Sequence, residues 1–170
     1  GFHNNKVKYI RETTKILQEE HGGKVPQEMD ALLKLPGVGP KMALICLHVA
    51  FGKVEGISVD THVHRICNQL GWAGENGAKQ PEGTRKAIES WMPEEVWPEV
   101  NVLLVGLGQE VQTERAKLLQ KCVDCSDPLQ ALRLAETLGV KVEKGLKAAG
   151  IEAPEGYVAG EALEGAMAVD

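Results

Sequence analysis

The chain has 170 residues, of which 43% are hydrophobic and 25% are charged. This is the composition of an ordinary globular domain, and it excludes a wholly disordered chain. No run of about 18 apolar residues occurs, so no segment is predicted to span a membrane. The net charge of −5 argues against polyanion binding over the whole surface, but residues 1–53 hold 8 basic and 5 acidic side chains and are locally positive.

Apolar residues recur at helical spacing along the chain, and no segment has the two-residue alternation of a half-buried strand. Glycine and proline separate the helical segments, which predicts an all-α fold with short connections. The helix that follows Pro93 is predicted to be the most buried, because apolar residues run almost without interruption from Val100 to Leu107. A short helix is predicted just after Pro26. The longer predicted helices span residues 4–21, 41–51, 61–70, 81–91 and 93–111.

The same spacing predicts which helix faces point into the core. On the first helix this face holds Val7, Ile10, Thr14 and Leu17, and on the fourth it holds Val63, Ile66, Cys67 and Leu70. The tryptophans are predicted to pack inside the protein rather than to stack on a base. They are Trp72, Trp91 and Trp97.

The composition changes after Cys125, where the chain becomes rich in Ala, Gly, Glu and Leu. A helix is predicted from Pro128 to about Leu138, and another from Val142 to Ala149. From Ile151 onward the apolar surface is too small to hold the chain in place, so this tail is expected to be disordered. The chain is therefore divided into residues 1–127, which form the main domain, and residues 128–170, which form a divergent extension.

Residues 35–41, with the sequence Leu-Pro-Gly-Val-Gly-Pro-Lys, predict a tight hairpin between two helices. Glycines at alternate positions let the N–H groups of Gly37, Val38 and Gly39 point outward at the start of the next helix. Such amides, together with the positive end of the helix dipole, form an anion site that suits a nucleic-acid phosphate. A nucleotide-binding loop is the competing interpretation, but its Gly-x4-Gly-Lys-Ser/Thr spacing is not met. A purely structural hairpin is the other alternative.

Lys41, just inside one helix, and Asp60, at the cap of the next, could face each other across a cleft. A lysine amine can attack an electrophilic carbon and form a Schiff base. A neighbouring carboxylate can stabilise the positive charge that develops and can transfer protons. The alternative is a surface lysine and an aspartate that only caps its helix.

Residues 35–43 and residues 56–66 together resemble the helix-hairpin-helix and the following aspartate loop of the endonuclease III family of DNA glycosylases. The similarity extends over roughly residues 1–125, and residues 61–65 resemble the eukaryotic bifunctional pyrimidine branch more than the 8-oxoguanine branch. The resemblance implies the helix-hairpin-helix DNA glycosylase fold for residues 1–127. Family members carry further helices before the position that matches Gly1, so the chain is expected to be truncated at its N-terminus.

The resemblance also implies roles for individual residues. Lys41 corresponds to the nucleophile that attacks C1′ of the damaged nucleotide, displaces the base and forms a covalent imine. Asp60 corresponds to the carboxylate that assists base loss and stabilises the cationic sugar. Elimination of the 3′ phosphate from the imine then nicks the strand, which is the lyase reaction.

The implied partner is duplex DNA that carries oxidised pyrimidines or abasic sites, bound by a monomer in the nucleus or the mitochondrion. The amides of Gly37, Val38 and Gly39 are expected to hold the phosphate backbone without reading sequence. His62 lies beside Asp60 in the sequence and is expected to line the pocket for the flipped base. The alternative function is a non-catalytic or degenerate helix-hairpin-helix module that only binds DNA.

The chain departs from the family at its metal site. Family members bind a [4Fe–4S] cluster through four cysteines with the spacing Cys-x6-Cys-x2-Cys-x5-Cys, and only Cys122 and Cys125 match that pattern here. The outer positions fall at Arg115 and Ala131, which carry no thiol. A cluster needs four thiolates or close substitutes. We therefore predict no metal and no cofactor, with the cysteine pair as a vestige; a zinc site completed by other ligands is the alternative.

Overall fold

The computed structural model describes residues 3–161, and all regular secondary structure within them is helical. The prediction of an all-α fold is confirmed. No helix in this described part combines the length and the apolar character that a membrane span requires. The helices are α1 (His3–Glu20), α2 (Met29–Leu33), α3 (Pro40–Phe51), α4 (Thr61–Gln69), α5 (Pro81–Glu89), a 3₁₀ helix (Glu94–Val96), α6 (Trp97–Thr113), α7 (Arg115–Asp124), α8 (Pro128–Thr137) and α9 (Val142–Ala149).

The chain forms two compact units, Gly1–Ser58 and Val59–Asp170. The first unit has its core where α2 and α3 meet. The predicted face of α1 is only partly correct, because Val7 and Ile10 are 49% and 66% exposed. The buried side chains of this core are Leu32, Leu35, Ala43 and Leu47, and the half-buried ones around them are Ile16, Leu17, Met29, Val38, Cys46 and Phe51.

In the second unit, α4 packs against α6. The predicted inward face of α4 is confirmed, since Val63, Ile66 and Cys67 are fully buried. Helix α6 buries the face that carries Val100, Leu104, Gly108 and Val111.

The prediction that α6 is the most buried helix does not hold for two residues of its apolar run, Val102 and Leu103, which are 71% and 61% exposed. A helix turns by about 100° per residue, so these two side chains lie away from the row that meets α4. A continuous apolar run carries no information about which face is covered.

The prediction that the tryptophans pack inside the protein is only partly correct, because Trp72 and Trp97 are half-buried in the second unit but Trp91 is 41% exposed. The rings of Trp72 and Trp91 meet edge to face, with centroids 5.8 Å apart. The indole N–H of Trp91 donates to the Trp72 carbonyl oxygen at 3.2 Å, and that of Trp97 donates to the Met92 carbonyl oxygen at 2.9 Å. These contacts fasten the segment between α4 and α6.

Helices α8 and α9 form at the predicted positions and pack against α7, a helix that the sequence pattern did not predict. Their shared core contains Leu119, Leu132 and Val142. The proposed domain boundary at residue 127 lies between α7 and α8 and stays a prediction.

Residues 151–161 contain no helix, but three contacts tie them to α8. The hydroxyl of Tyr157 donates to Glu136 Oε1 at 2.6 Å, and the amide of Gly160 donates to Glu136 Oε2 at 3.0 Å. Arg133 forms an ion pair with Glu161. Burial and the bond to Glu136 raise the pKa of Tyr157. The expected disorder of the tail also concerns residues 162–170, which lie outside the described residues.

Candidate active site

The hairpin between α2 and α3 needs glycine at position 37 for two reasons. Gly37 has φ of +78°, a left-handed conformation that side chains disfavour. A Cβ at this position would also lie 2.5 Å from Cδ2 of Tyr9, which packs against the hairpin from α1. The turn is closed by the amide of Val38, which donates to the Leu35 carbonyl oxygen at 3.1 Å.

Gly39 differs from Gly37, because nothing in the described part of the chain requires glycine there. It has φ of −101° and ψ of 176°, an extended conformation open to any residue, and it caps α3 directly before Pro40. A Cβ on Gly39 would meet no described atom within 4 Å. Of the three amides predicted to bind phosphate, that of Val38 is used inside the turn. The amides of Gly37 and Gly39 donate to no acceptor among residues 3–161.

Lys41 occupies the second position of α3, and its side chain is exposed. Its backbone is held from both directions. The Ala43 amide donates to the Gly39 carbonyl oxygen at 3.0 Å, and the hydroxyl of Ser58 donates to the carbonyl oxygen of Lys41 at 3.4 Å. The amine therefore projects from an ordered helix start that directly follows the hairpin.

Asp60 is the N-cap of α4, as predicted. Its Oδ1 accepts hydrogen bonds from the amides of His62 at 2.8 Å and Val63 at 2.9 Å. These two bonds satisfy amides that a helix start leaves without partners, and they hold the carboxylate in one orientation. Lys41 belongs to Gly1–Ser58 and Asp60 to Val59–Asp170. Their pairing across a cleft stays a prediction.

His62 and His64 point to different neighbours, as their spacing on α4 predicts. The side chain of His62 lies against Gly108 of α6. Nδ1 of His64 lies 2.7 Å from the hydroxyl of Thr84 on α5 and 3.2 Å from Nδ2 of Asn68. This partly buried polar network was not predicted from the sequence, because it joins residues up to 20 positions apart and follows no periodic pattern.

The cysteine pair does not offer the ligands of an iron–sulfur cluster. Cys122 is buried, its Sγ donates to the Ala131 carbonyl oxygen at 3.6 Å, and burial raises its pKa to about 11. Cys125 is exposed, and the first family position is filled by Arg115, whose Nε donates to the Val111 carbonyl oxygen at 3.0 Å. Within residues 3–161 no three His, Cys, Asp or Glu side chains are grouped to hold a metal ion. The residues present therefore do not fit a four-thiolate cluster.

Several known proteins are similar to this chain. It is 53% identical over 110 residues to endonuclease III-like protein 1 of Gallus gallus, covering 65% of this chain and 39% of that protein. It is 42% identical over 144 residues to the endonuclease III homolog of Schizosaccharomyces pombe, covering 85% of this chain and 40% of that protein. The chain thus spans about two fifths of the length of these relatives.

Solved structures agree in fold. A trapped endonuclease III–DNA covalent intermediate matches with a TM-score of 0.62 and 30% identity, over 79% of this chain and 58% of that one. A non-covalent endonuclease III–DNA complex matches with a TM-score of 0.60 and 27% identity, over 87% of this chain and 62% of that one. The expected helix-hairpin-helix DNA glycosylase fold is confirmed. The model of the HhH-GPD superfamily of base excision DNA repair proteins matches residues 1–94, more than half of the chain, and the chain belongs to this superfamily.

Proposed function

We propose that the protein is a DNA glycosylase of base excision repair that removes oxidised pyrimidines from duplex DNA and cleaves the resulting abasic site. One observation carries this proposal: an exposed lysine amine at the start of α3, directly after the glycine hairpin, in a chain of this superfamily. One structural relative is a trapped covalent endonuclease III–DNA intermediate, and such an intermediate requires a nucleophile. We assign this role to Lys41, the lysine in the first turn of the helix that follows the hairpin.

Binding to DNA begins at the hairpin. The amides of Gly37 and Gly39 donate to a phosphate oxygen, helped by the positive end of α3. No atom of the described residues lies within 4 Å of where a Cβ of Gly39 would stand, so the space beside its backbone is open to an external group such as a phosphate. Because these contacts go to the backbone of the DNA, they position the protein without selecting a sequence.

The chemistry assigned to Lys41 and Asp60 has two stages. The amine of Lys41 attacks C1′ of the flipped nucleotide, the bond from C1′ to the base breaks, and the base leaves with the electron pair and takes up a proton that the attacking nitrogen loses. The bond from C1′ to O4′ then breaks, O4′ takes up a second proton from the nitrogen, and an imine joins C1′ to Lys41. Asp60 stabilises the positive charge on the sugar and transfers the proton. Loss of a proton from C2′ then expels the 3′ phosphate and nicks the strand, and water releases Lys41 from the imine.

Borohydride trapping tests this assignment, because reduction of the imine leaves the enzyme covalently attached to DNA. The purified protein should give an adduct with duplex DNA that contains an oxidised pyrimidine or an abasic site. Lys41→Ala should give none, whereas Lys34→Ala, an exposed lysine at the other side of the hairpin, should keep the adduct. An equal adduct from Lys41→Ala would refute the role of Lys41. Salt-sensitive binding without any adduct would instead support a module that only binds DNA.

We place this activity in the nucleus or the mitochondrion, because both compartments hold the DNA on which the protein would act. Two relatives from Arabidopsis thaliana are named as chloroplastic, which supports a location in a DNA-containing compartment. Fractionation of cells, followed by detection of the protein with an antibody, tests the location. A signal confined to the cytosol would contradict it.

A further inference from the structure

Helix α6 approaches the first turn of α4 very closely at Gly108, which is buried. A Cβ at this position would lie 2.6 Å from Nδ1, 2.9 Å from Cβ and 3.0 Å from Cγ of His62. Real side chains do not pack at such distances. The Cβ of His62 keeps its position in every rotamer, so a change of rotamer alone does not remove the conflict. A side chain at position 108 therefore has to displace the backbone of His62.

The backbone of His62 is connected to Asp60 by one hydrogen bond. The amide of His62 donates to Asp60 Oδ1 at 2.8 Å, and the next amide, that of Val63, donates to the same oxygen at 2.9 Å. A shift of the first turn of α4 therefore moves both donors that orient this carboxylate. The path from Gly108 to the carboxylate passes through one side chain and two hydrogen bonds.

The same helix offers a contrasting glycine. Gly106 lies two residues earlier on α6 and is exposed, and a Cβ there would meet no described atom within 4 Å. Glycine weakens a helix interior relative to alanine at either position. Only at Gly108 does the structure show a packing reason to accept that cost.

We infer that Gly108 is a positioning residue for the proposed reaction: the missing side chain seats the first turn of α4 directly on the backbone of α6 and so sets the orientation of the Asp60 carboxylate. The inference rests on the proposed function. The proposal gives Gly108 no contact with the DNA or the sugar. It acts through His62 and the two amides.

The kinetic test compares Gly108→Ala with Gly106→Ala in single-turnover base excision. Gly108→Ala should lower the rate constant by about tenfold or more, because a displacement of about 1 Å at a reacting group can cost about a hundredfold. Its affinity for duplex DNA should change by less than about twofold, and Gly106→Ala should alter neither quantity. In an Asp60→Asn background, Gly108→Ala should cause no further loss. Losses that multiply in this background would overturn the inference.

A structural test does not depend on activity. Hydrogen exchange measured by NMR should be faster at the amides of His62 and Val63 in Gly108→Ala than in the wild type, and unchanged in Gly106→Ala. Because His62 supplies the three closest atoms, adding His62→Gly to Gly108→Ala should restore the urea midpoint to that of His62→Gly alone. This double variant also decides the matter if Gly108→Ala does not fold.

The outcomes separate the two claims. A wild-type protein that excises no base refutes the proposed function, while the exchange measurement still decides whether Gly108 orients the carboxylate. Unchanged exchange at both amides, or a double variant no more stable than Gly108→Ala, would overturn the inference.

Discussion

The two glycines of the hairpin should respond in opposite ways to the same substitution. In Gly37→Ala the backbone of the new residue has to adopt a left-handed conformation, which costs about 1–2 kcal/mol for an L residue. It also meets Tyr9 atoms at 2.5, 2.8 and 3.2 Å. Because Tyr9 is 40% exposed, it can turn away and lose part of its packing. We expect a loss of about 2–3 kcal/mol in the free energy of unfolding.

In Gly39→Ala the backbone is already in a conformation that alanine adopts freely, and no described atom lies close enough to clash. Alanine reduces the conformational freedom of the unfolded chain, which raises the free energy of unfolding. Alanine is also a poorer N-cap than glycine, which lowers it. These effects oppose each other, so the free energy of unfolding should change by less than about 0.5 kcal/mol. The methyl group stands, however, where the proposed phosphate approaches. We expect the affinity for duplex DNA to fall about tenfold.

Urea denaturation and fluorescence anisotropy with a labelled duplex measure the two quantities on the same preparations. Gly106→Ala is the control for both, because it adds the same methyl group at an open position; it should leave the affinity for DNA unchanged and raise the free energy of unfolding by about 0.5–1 kcal/mol. A Gly39→Ala variant as unstable as Gly37→Ala would refute the difference between the two glycines. A Gly39→Ala variant that binds DNA as tightly as the wild type would refute the phosphate contact.

Three further predictions concern stability, thiol reactivity and pH. Leu47→Ala removes a fully buried side chain and should lower the free energy of unfolding by about 2–5 kcal/mol in urea denaturation. Val49 lies on the same helix but is 78% exposed, so Val49→Ala should change this free energy by less than about 0.5 kcal/mol. Iodoacetamide should alkylate Cys125 rapidly and Cys122 only after unfolding, because burial raises the pKa of the Cys122 thiol to about 11. The purified protein should contain no iron or acid-labile sulfide, and stoichiometric iron would contradict the prediction that this cysteine pair holds no cluster. The hydrogen bond from Arg85 lowers the pKa of Glu82 below 4.5, so its stabilising contribution is present above pH 4.5 and is lost as the pH falls through the lowered pKa. Glu82→Gln should therefore cost less than about 1 kcal/mol at pH 7, and the difference from the wild type should shrink as the pH is lowered below 4.5 in urea denaturation.

Local signals in the sequence were sufficient for most helix boundaries. Proline at the start of α3, α5 and α8 and the cap Asp60 each mark a boundary within a few residues. Helix α7 was missed because only Glu114 separates it from α6, with no glycine or proline to show the break. The exposed side of α6 was not predicted because an uninterrupted apolar run places apolar residues on every face of the helix. Only the position of α4 decides which of these faces is covered.

Some features of the candidate site could likewise be predicted from the sequence, and others depend on the folded chain. The hairpin and the cap at Asp60 are encoded within a few consecutive residues, so motif and capping rules identify them. The contact between His62 and Gly108 joins residues 46 positions apart, and no periodicity connects them. The different roles of Gly37 and Gly39 were also hidden, because φ and the position of Tyr9 are properties of the folded chain.

The exposed pair on α6 has a practical consequence for work with the protein. Val102 and Leu103 contribute little to the core, so replacing them with glutamine or lysine leaves no cavity behind. It also removes an adjoining apolar surface of the kind that promotes self-association in concentrated samples. These two positions are therefore the first to change when the protein is prepared for NMR or crystallisation, ahead of any position in the hairpin or in α4.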